Sequence, residues 1–246
     1  MPMSTITVDQ HLPTVVRDTP DLPHDPAASP QAELDRQVEA YLQLGLHTLA
    51  GLSPAALRQA VEPLRAALPD TPPSGRAPGE ERGDHVPFVV VLGGIGDLND
   101  AVPAMRRRAL RGVSVIDREE LATYRPLEDL RVPGDAAYLL TGIDTGSDLC
   151  GVTPERALAV VRAAGRTPLT VAEGLALVTV RPDMLRPNRC FSLLGSRSTT
   201  QRVPAVWISE RRAKLGWCWD RNPHTWLGAA SATARVSAGS DGPAGG

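Results

Sequence analysis

The chain has 246 residues, a formal net charge of -2, 42% hydrophobic residues and only 4% aromatics. That length fits one core domain with a smaller appendage, and the near-neutral charge excludes a general electrostatic pull toward nucleic acid or an anionic membrane. Three cysteines, Cys150, Cys190 and Cys218, include no CxxC pair, so neither a disulfide framework nor a zinc ribbon is indicated.

Residues 1–30 carry Pro13, Pro20, Pro23, Pro26 and Pro30 among polar neighbours, which predicts a disordered arm. The opening residues lack the basic start and apolar run of a secretory signal, and no stretch reaches the length of a transmembrane span; with reduced thiols the expected setting is the cytoplasm. From residue 31, Leu34, Val38, Tyr41 and Leu42 recur at helical spacing and Gly45 follows as a stop. Ser53 and Pro54 open a second helix as cap and first-turn residue, with Leu57, Val61, Leu64 and Leu68 on its apolar face. Residues 31–68 therefore read as a helical hairpin whose other faces, bearing Arg36, Glu39, Arg58, Glu62 and Arg65, point to solvent. Residues 69–86, with four prolines and several charges, read as a linker.

A core domain is expected over residues 87–230. It starts with a buried strand, PFVVVL at 87–92. Gly93, Gly94 and Gly96 follow, but the third position of a dinucleotide fingerprint is occupied by Asn99 and Pro103 interrupts the helix behind it, so the glycines read as a turn. Strands are expected near 113–116 and 136–141. The loop GIDTGSD (142–148) holds Asp144 and Asp148 at a spacing that matches no calcium loop and suits polar turn chemistry. Thr153 with Pro154, and the capping box of Thr170 with Glu173, start two helices that should pair as a hairpin. The last 16 residues, rich in Ala, Gly and Ser, are expected to form a disordered tail over 231–246.

Residues 189–230 contain all four tryptophans and alternate short apolar runs with turn clusters, the pattern of antiparallel strands. The register at Asn222 decides their chemistry. A four-residue loop pairs Trp219 with His224 and Trp217 with Trp226, making a Trp-His platform; a three-residue loop pairs Asp220 with His224 and Cys218 with Trp226, gathering thiol, imidazole and carboxylate. Aromatic faces beside arginines suit a small anionic or aromatic ligand, and the residues implicated are Trp217, Trp219, Trp226, Arg197 and Arg189. The bland alternative is that the indoles fill a sheet core. Cys218 and His224 are the candidate catalytic pair, for acyl transfer or hydrolysis; a zinc site from Cys190, Cys218 and His224 lacks ligand pairs at finger spacing.

YRPLEDL (124–130), YLLTG (138–142), GRTPLT (165–170), NRCF (188–191), PAVWIS (204–209), LGWCW (215–219) and NPHTWLG (222–228) together resemble an uncharacterised actinobacterial family catalogued as a domain of unknown function. The resemblance implies one evolutionary unit and brings no cofactor, metal or catalytic residue with it. The expected fold is α+β, with an N-terminal helical hairpin, a small mixed β/α middle and a C-terminal antiparallel β-meander. The expected function is a soluble binding or regulatory protein with a Trp/Arg-lined site for a small-molecule ligand. A Cys/His enzyme and a helical-hairpin adaptor for a protein partner are the alternatives; no membrane role is expected and nucleic acid is disfavoured.

Overall fold

The structure, a computed structural model, describes residues 22–69 and 83–238. The helices are α1 (Pro30–Leu44), α2 (Leu46–Leu49), α3 (Pro54–Val61), α4 (Leu98–Ala101), α5 (Arg118–Leu121), α6 (Pro154–Ala163) and α7 (Val171–Val180). The strands are β1 (His85–Leu92), β2 (Val113–Ser114), β3 (Arg125–Pro126), β4 (Ala137–Asp144), β5 (Thr167–Pro168) and β6 (Cys190–Ser192), then β7 (Ser196–Arg197), β8 (Arg202–Ser209), β9 (Arg212–Trp219), β10 (Leu227–Ala229), β11 (Ser231–Ala232) and β12 (Ala234–Val236). The fold is α+β, as expected. Among the described residues no helix is long and apolar enough to cross a membrane.

Local sequence sets the helix ends. Ser29 and Ser53 each accept a hydrogen bond from a first-turn amide, with proline next in the chain, and Gly45 closes α1 in the left-handed conformation at φ 76°. Thr170 and Glu173 form the reciprocal capping box at the start of α7, satisfying two amides that a helix start leaves bare.

α7 is apolar on nearly every side and buried along its length, as an all-round apolar helix must be. It packs on β1 and β8 and so joins the two main sheets. The helical hairpin expected from α6 and α7 does not form: α6 packs against β5 and β10. The first sheet runs β1-β4-β11-β5, with β12 also on β4; the second runs β10-β6-β8-β9-β2. β6, β8 and β9 are antiparallel neighbours. The fourth strand of the tail does not return as a hairpin at Asn222, because β10 lies parallel to β6 at the other edge. Both registers anticipated there are thereby replaced.

α1 is tied to the edge of β1 rather than standing apart. The Gln37 side chain accepts from Val90 N at 2.8 Å and donates to Phe88 O at 3.3 Å, in the manner of a neighbouring strand, and Tyr41 donates its hydroxyl hydrogen to Val90 O. Leu34, Val38, Leu57 and Val61 join the same apolar cluster as β1, β4, α7 and the tail sheet. Residues 231–236, anticipated as disordered, are instead β11 and β12, which pair with β4 and β5. Residues 1–21 of the expected arm (1–30), most of the linker (70–82) and the end of the tail (239–246) lie outside the described residues, while residues 22–29 are described and lead into α1.

Candidate functional site

The regular β8/β9 register, Arg202↔Trp219 through Ser209↔Arg212, assigns the tryptophans to opposite faces of the sheet, since alternate residues point to opposite sides. Trp217 and Trp219 meet edge to face at 5.1 Å, and the Arg202 guanidinium lies 3.9 Å from the Trp217 ring centre. Glu120 holds Arg202 from the other side with two hydrogen bonds of 2.9 Å. Trp219 is 48% exposed, yet this face is a surface patch whose cation is already seated on the indole. On the opposite face Trp226 packs against Trp207 at 6.1 Å and against His224 at 5.2 Å. Trp207 lies across Gly216, where a Cβ would meet the indole at 2.1 Å. No single platform unites the four rings.

The two arginines assigned to that platform are elsewhere. Arg197 donates to Asp220 at 3.2 Å and to the carbonyls of Leu194 and Ser196, clamping the turn after β6. Arg189 is an exposed residue at the turn before β6, and its charge acts on Cys150.

Cys218 and His224 do border one crevice, with Ser192 and Asn222, but it is too narrow for a water-sized molecule. The hydrogen-bond partner of Cys218 is the Ser192 hydroxyl at 3.8 Å, and among the described residues no hydrogen bond joins it to His224. Burial pushes the Cys218 thiol up, against the opposing pull of Ser192 and Arg197, and burial pushes the His224 imidazole down. Both shifts favour neutral partners, the reverse of a thiolate-imidazolium pair. Burial likewise raises Cys190 and Cys150. In native protein, iodoacetamide is therefore expected to alkylate Cys190 and Cys218 more slowly than in urea, followed by mass spectrometry of the labelled peptides. Rapid labelling of Cys218 in the native state contradicts that environment.

All three cysteines are free. Among the described residues no group of three or more His, Cys, Asp or Glu side chains is placed to hold a metal ion. The GIDTGSD loop is turn chemistry: Asp144 accepts from Gly146 N at 2.7 Å, while Thr145, Ser147 and Arg186 all donate to the buried Asp84 carboxylate at the start of β1.

A roomy concavity with polar walls lies at the far end of α7. It has a volume of about 530 Å³ and is bordered by Arg36, Arg106, Arg108 and Arg181, with Asp183 the one carboxylate residue of its lining among the described residues. Leu22, Pro23, Pro26, Ala40, Leu44 and Val180 supply apolar lining, and His24, Gln43 and Thr179 polar lining. Arg36, expected on a solvent-facing surface, is turned inward: its side chain is 13% exposed. It donates to Glu33 at 2.7 Å, to Leu22 O at 2.7 Å and to Val180 O at 2.8 Å. It thus ties down the segment before α1 and covers a carbonyl at the end of α7, where a cation is favourable. Although burial raises it, Glu33 stays below the usual carboxylate range because Arg36 and Gln37 donate to it. Arg181 holds Asp183 with bonds of 2.9 and 2.7 Å. Arg108 comes from a two-residue turn closed by paired backbone bonds between Arg107 and Leu110, and its φ is 56°, a conformation that non-glycine residues adopt rarely and that clusters at functional sites.

Sequence reasoning missed this cleft because Arg36, the neighbours Arg106 and Arg108, and Arg181 come from three places spaced about 70 residues apart along the chain. The local signal available was the run Arg106, Arg107, Arg108, a basic cluster in a chain with little net charge.

No curated protein and no solved structure matches this chain. A family model matches residues 40–238, and the chain accordingly belongs to the family of unknown function DUF5701.

Proposed function

We propose that this protein binds a small anionic molecule in the arginine-bordered cleft between α1, the end of α7 and the 106–108 turn. The observation that carries the reading is the lining itself: four arginines, set against Asp183 and the Glu33 that holds Arg36, border a concavity of about 530 Å³, within the size range of small-molecule sites. The binding function anticipated from the tail is kept and its location moves, because the Trp217 face is occupied by Arg202. The buried neutral thiol of Cys218 gives no support to acyl transfer, and the contacts of α1 with β1 leave less of the helical hairpin for a protein partner. Free thiols fit a cytoplasmic setting, which is part of the same proposal.

A thermal-shift series with inorganic phosphate, AMP, citrate and octanoate tests it. A ligand present at about 100 times its Kd adds about 2.7 kcal/mol, worth roughly 5–10 °C for a chain of this size. At least one anion is expected to produce that shift in wild type and in Arg202→Gln, and to lose it in Arg108→Asn, a substitution suited to the left-handed backbone. No shift with any of the four, or a shift lost in Arg202→Gln and kept in Arg108→Asn, contradicts the proposal.

A further inference from the structure

We infer that the ligand of this cleft is a small aliphatic acid bearing a hydroxyl group, its carboxylate taken by Arg108 and its hydroxyl by Gln43; this rests on the cleft being an anion site. The bordering arginines differ in what they already hold. Arg36 has its guanidinium on Glu33 and two carbonyls, and Arg181 has its fork on Asp183. Among the described residues Arg108 makes no ion pair or hydrogen bond through its side chain, so a planar fork of donors stands at the rim on a strained turn. One such fork matches one carboxylate in bidentate fashion.

Gln43 supplies the second group. Its Nε2 donates to Glu39 at 2.9 Å, while its Oε1 is buried without a hydrogen-bond partner among the described residues. A buried acceptor in that state calls for a donor, and the half-buried Gln43 side chain borders the same cleft as Arg108, so that a turn of its amide presents this oxygen to a ligand. Besides the arginines, Asp183 and Gln43, the lining holds His24 and Thr179 and is otherwise aliphatic, with no Phe, Tyr or Trp among the described residues. A nucleobase would find one small ring to stack on, the His24 imidazole that already contacts Glu33 at 3.1 Å, whereas an alkyl chain would lie against Pro23, Pro26, Leu44 and Val180. Oxyanion, hydroxyl donor and aliphatic body together define the class.

Calorimetric titration of the full chain with 3-hydroxyoctanoate, octanoate, 3-octanol and AMP tests the assignment, with circular dichroism to verify that each variant is folded. 3-Hydroxyoctanoate is expected to bind most tightly. Arg108→Asn should weaken both acids by at least about tenfold, the scale of a lost charge-assisted hydrogen bond. Gln43→Leu should bring 3-hydroxyoctanoate down to the affinity of octanoate and leave octanoate unchanged. AMP binding ahead of both acids, still dependent on Arg108, overturns the ligand class and leaves the anion site standing. An unchanged preference for the hydroxy acid in Gln43→Leu overturns the role of Gln43. Absence of Arg108-dependent binding by every probe overturns the inference and the proposed site together.

Discussion

A chain that begins at Gly83, lacking the N-terminal helices, is expected to fail to fold. Leu34, Val38, Tyr41, Leu57, Val61 and Leu64 are each at most 3% exposed. At about 1.5–3 kcal/mol per fully buried side chain they contribute roughly 9–18 kcal/mol, an upper estimate. The entire stability of a domain is typically about 5–15 kcal/mol. The loss is also specific in place. Gln37 and Tyr41 cover the outer edge of β1, and an apolar strand such as His85–Leu92 with its edge bared is a template for aggregation. Expression of the truncated chain should give insoluble protein or a circular dichroism spectrum without a cooperative melt. A soluble product melting at the wild-type temperature would make the helices an independent appendage. A milder form of the same test is Gln37→Leu, which strands Phe88 O and Val90 N and should cost about 1–3 kcal/mol.

The second large effect is expected at Arg235. This residue of β12 holds the Glu173 carboxylate with bonds of 2.5 and 2.8 Å. It also donates to Thr167 Oγ1 at 2.5 Å and to Pro168 O at 3.0 Å. Glu173 is fully buried, Arg235 nearly so. The same carboxylate accepts from the Tyr138 hydroxyl at 3.0 Å and from Thr170 N at 2.7 Å. It is at once a helix cap, the partner of β4 and the anchor of the C-terminal strand. Removing one member of a buried pair leaves the other charge uncompensated, at a cost of about 3–5 kcal/mol. Arg235→Met should lower the urea midpoint by that equivalent at constant m-value. The double variant Arg235→Met with Glu173→Gln should lose less than the two single losses combined, because neither charge is then stranded. Additive losses would mean that the two residues act independently.

These two expectations also mark where the sequence was legible. Helix starts could be read because their signals are local: Ser53 with Pro54, Thr153 with Pro154, and Thr170 with Glu173 each lie within one turn of the amides they satisfy. β1 and β4 were legible as short apolar runs flanked by breakers. The pairing of distant strands was not. Nothing near Asn222 announces that Leu227–Ala229 will lie parallel to Cys190–Ser192, since that choice depends on how α6 and the 146–149 turn pack against β10. Composition misled at residues 231–236, where small residues suggested disorder. Ser231 and Ala232 are small because they are buried between neighbouring strands, and Arg235 supplies the anchor that composition alone does not weigh. The candidate site was hardest of all. Aromatic residues are conspicuous in a chain with so few, so the tail drew the chemical reading. The arginines of the cleft meet only after α1, the 106–108 turn and the end of α7 have been brought together.

The central claim is that a small anion sits in the arginine cleft and not on the tryptophan face, and one spectrum addresses both places at once. A two-dimensional proton–nitrogen NMR titration with the anions that raise the melting temperature follows the four tryptophan indoles as separate reporters of the tail. Shifts of the amides of Leu44, Arg108, Thr179, Val180, Arg181 and Asp183, with the indole signals stationary, are the predicted result. Movement of the Trp217 and Trp219 indoles while the cleft amides stay still would contradict the account.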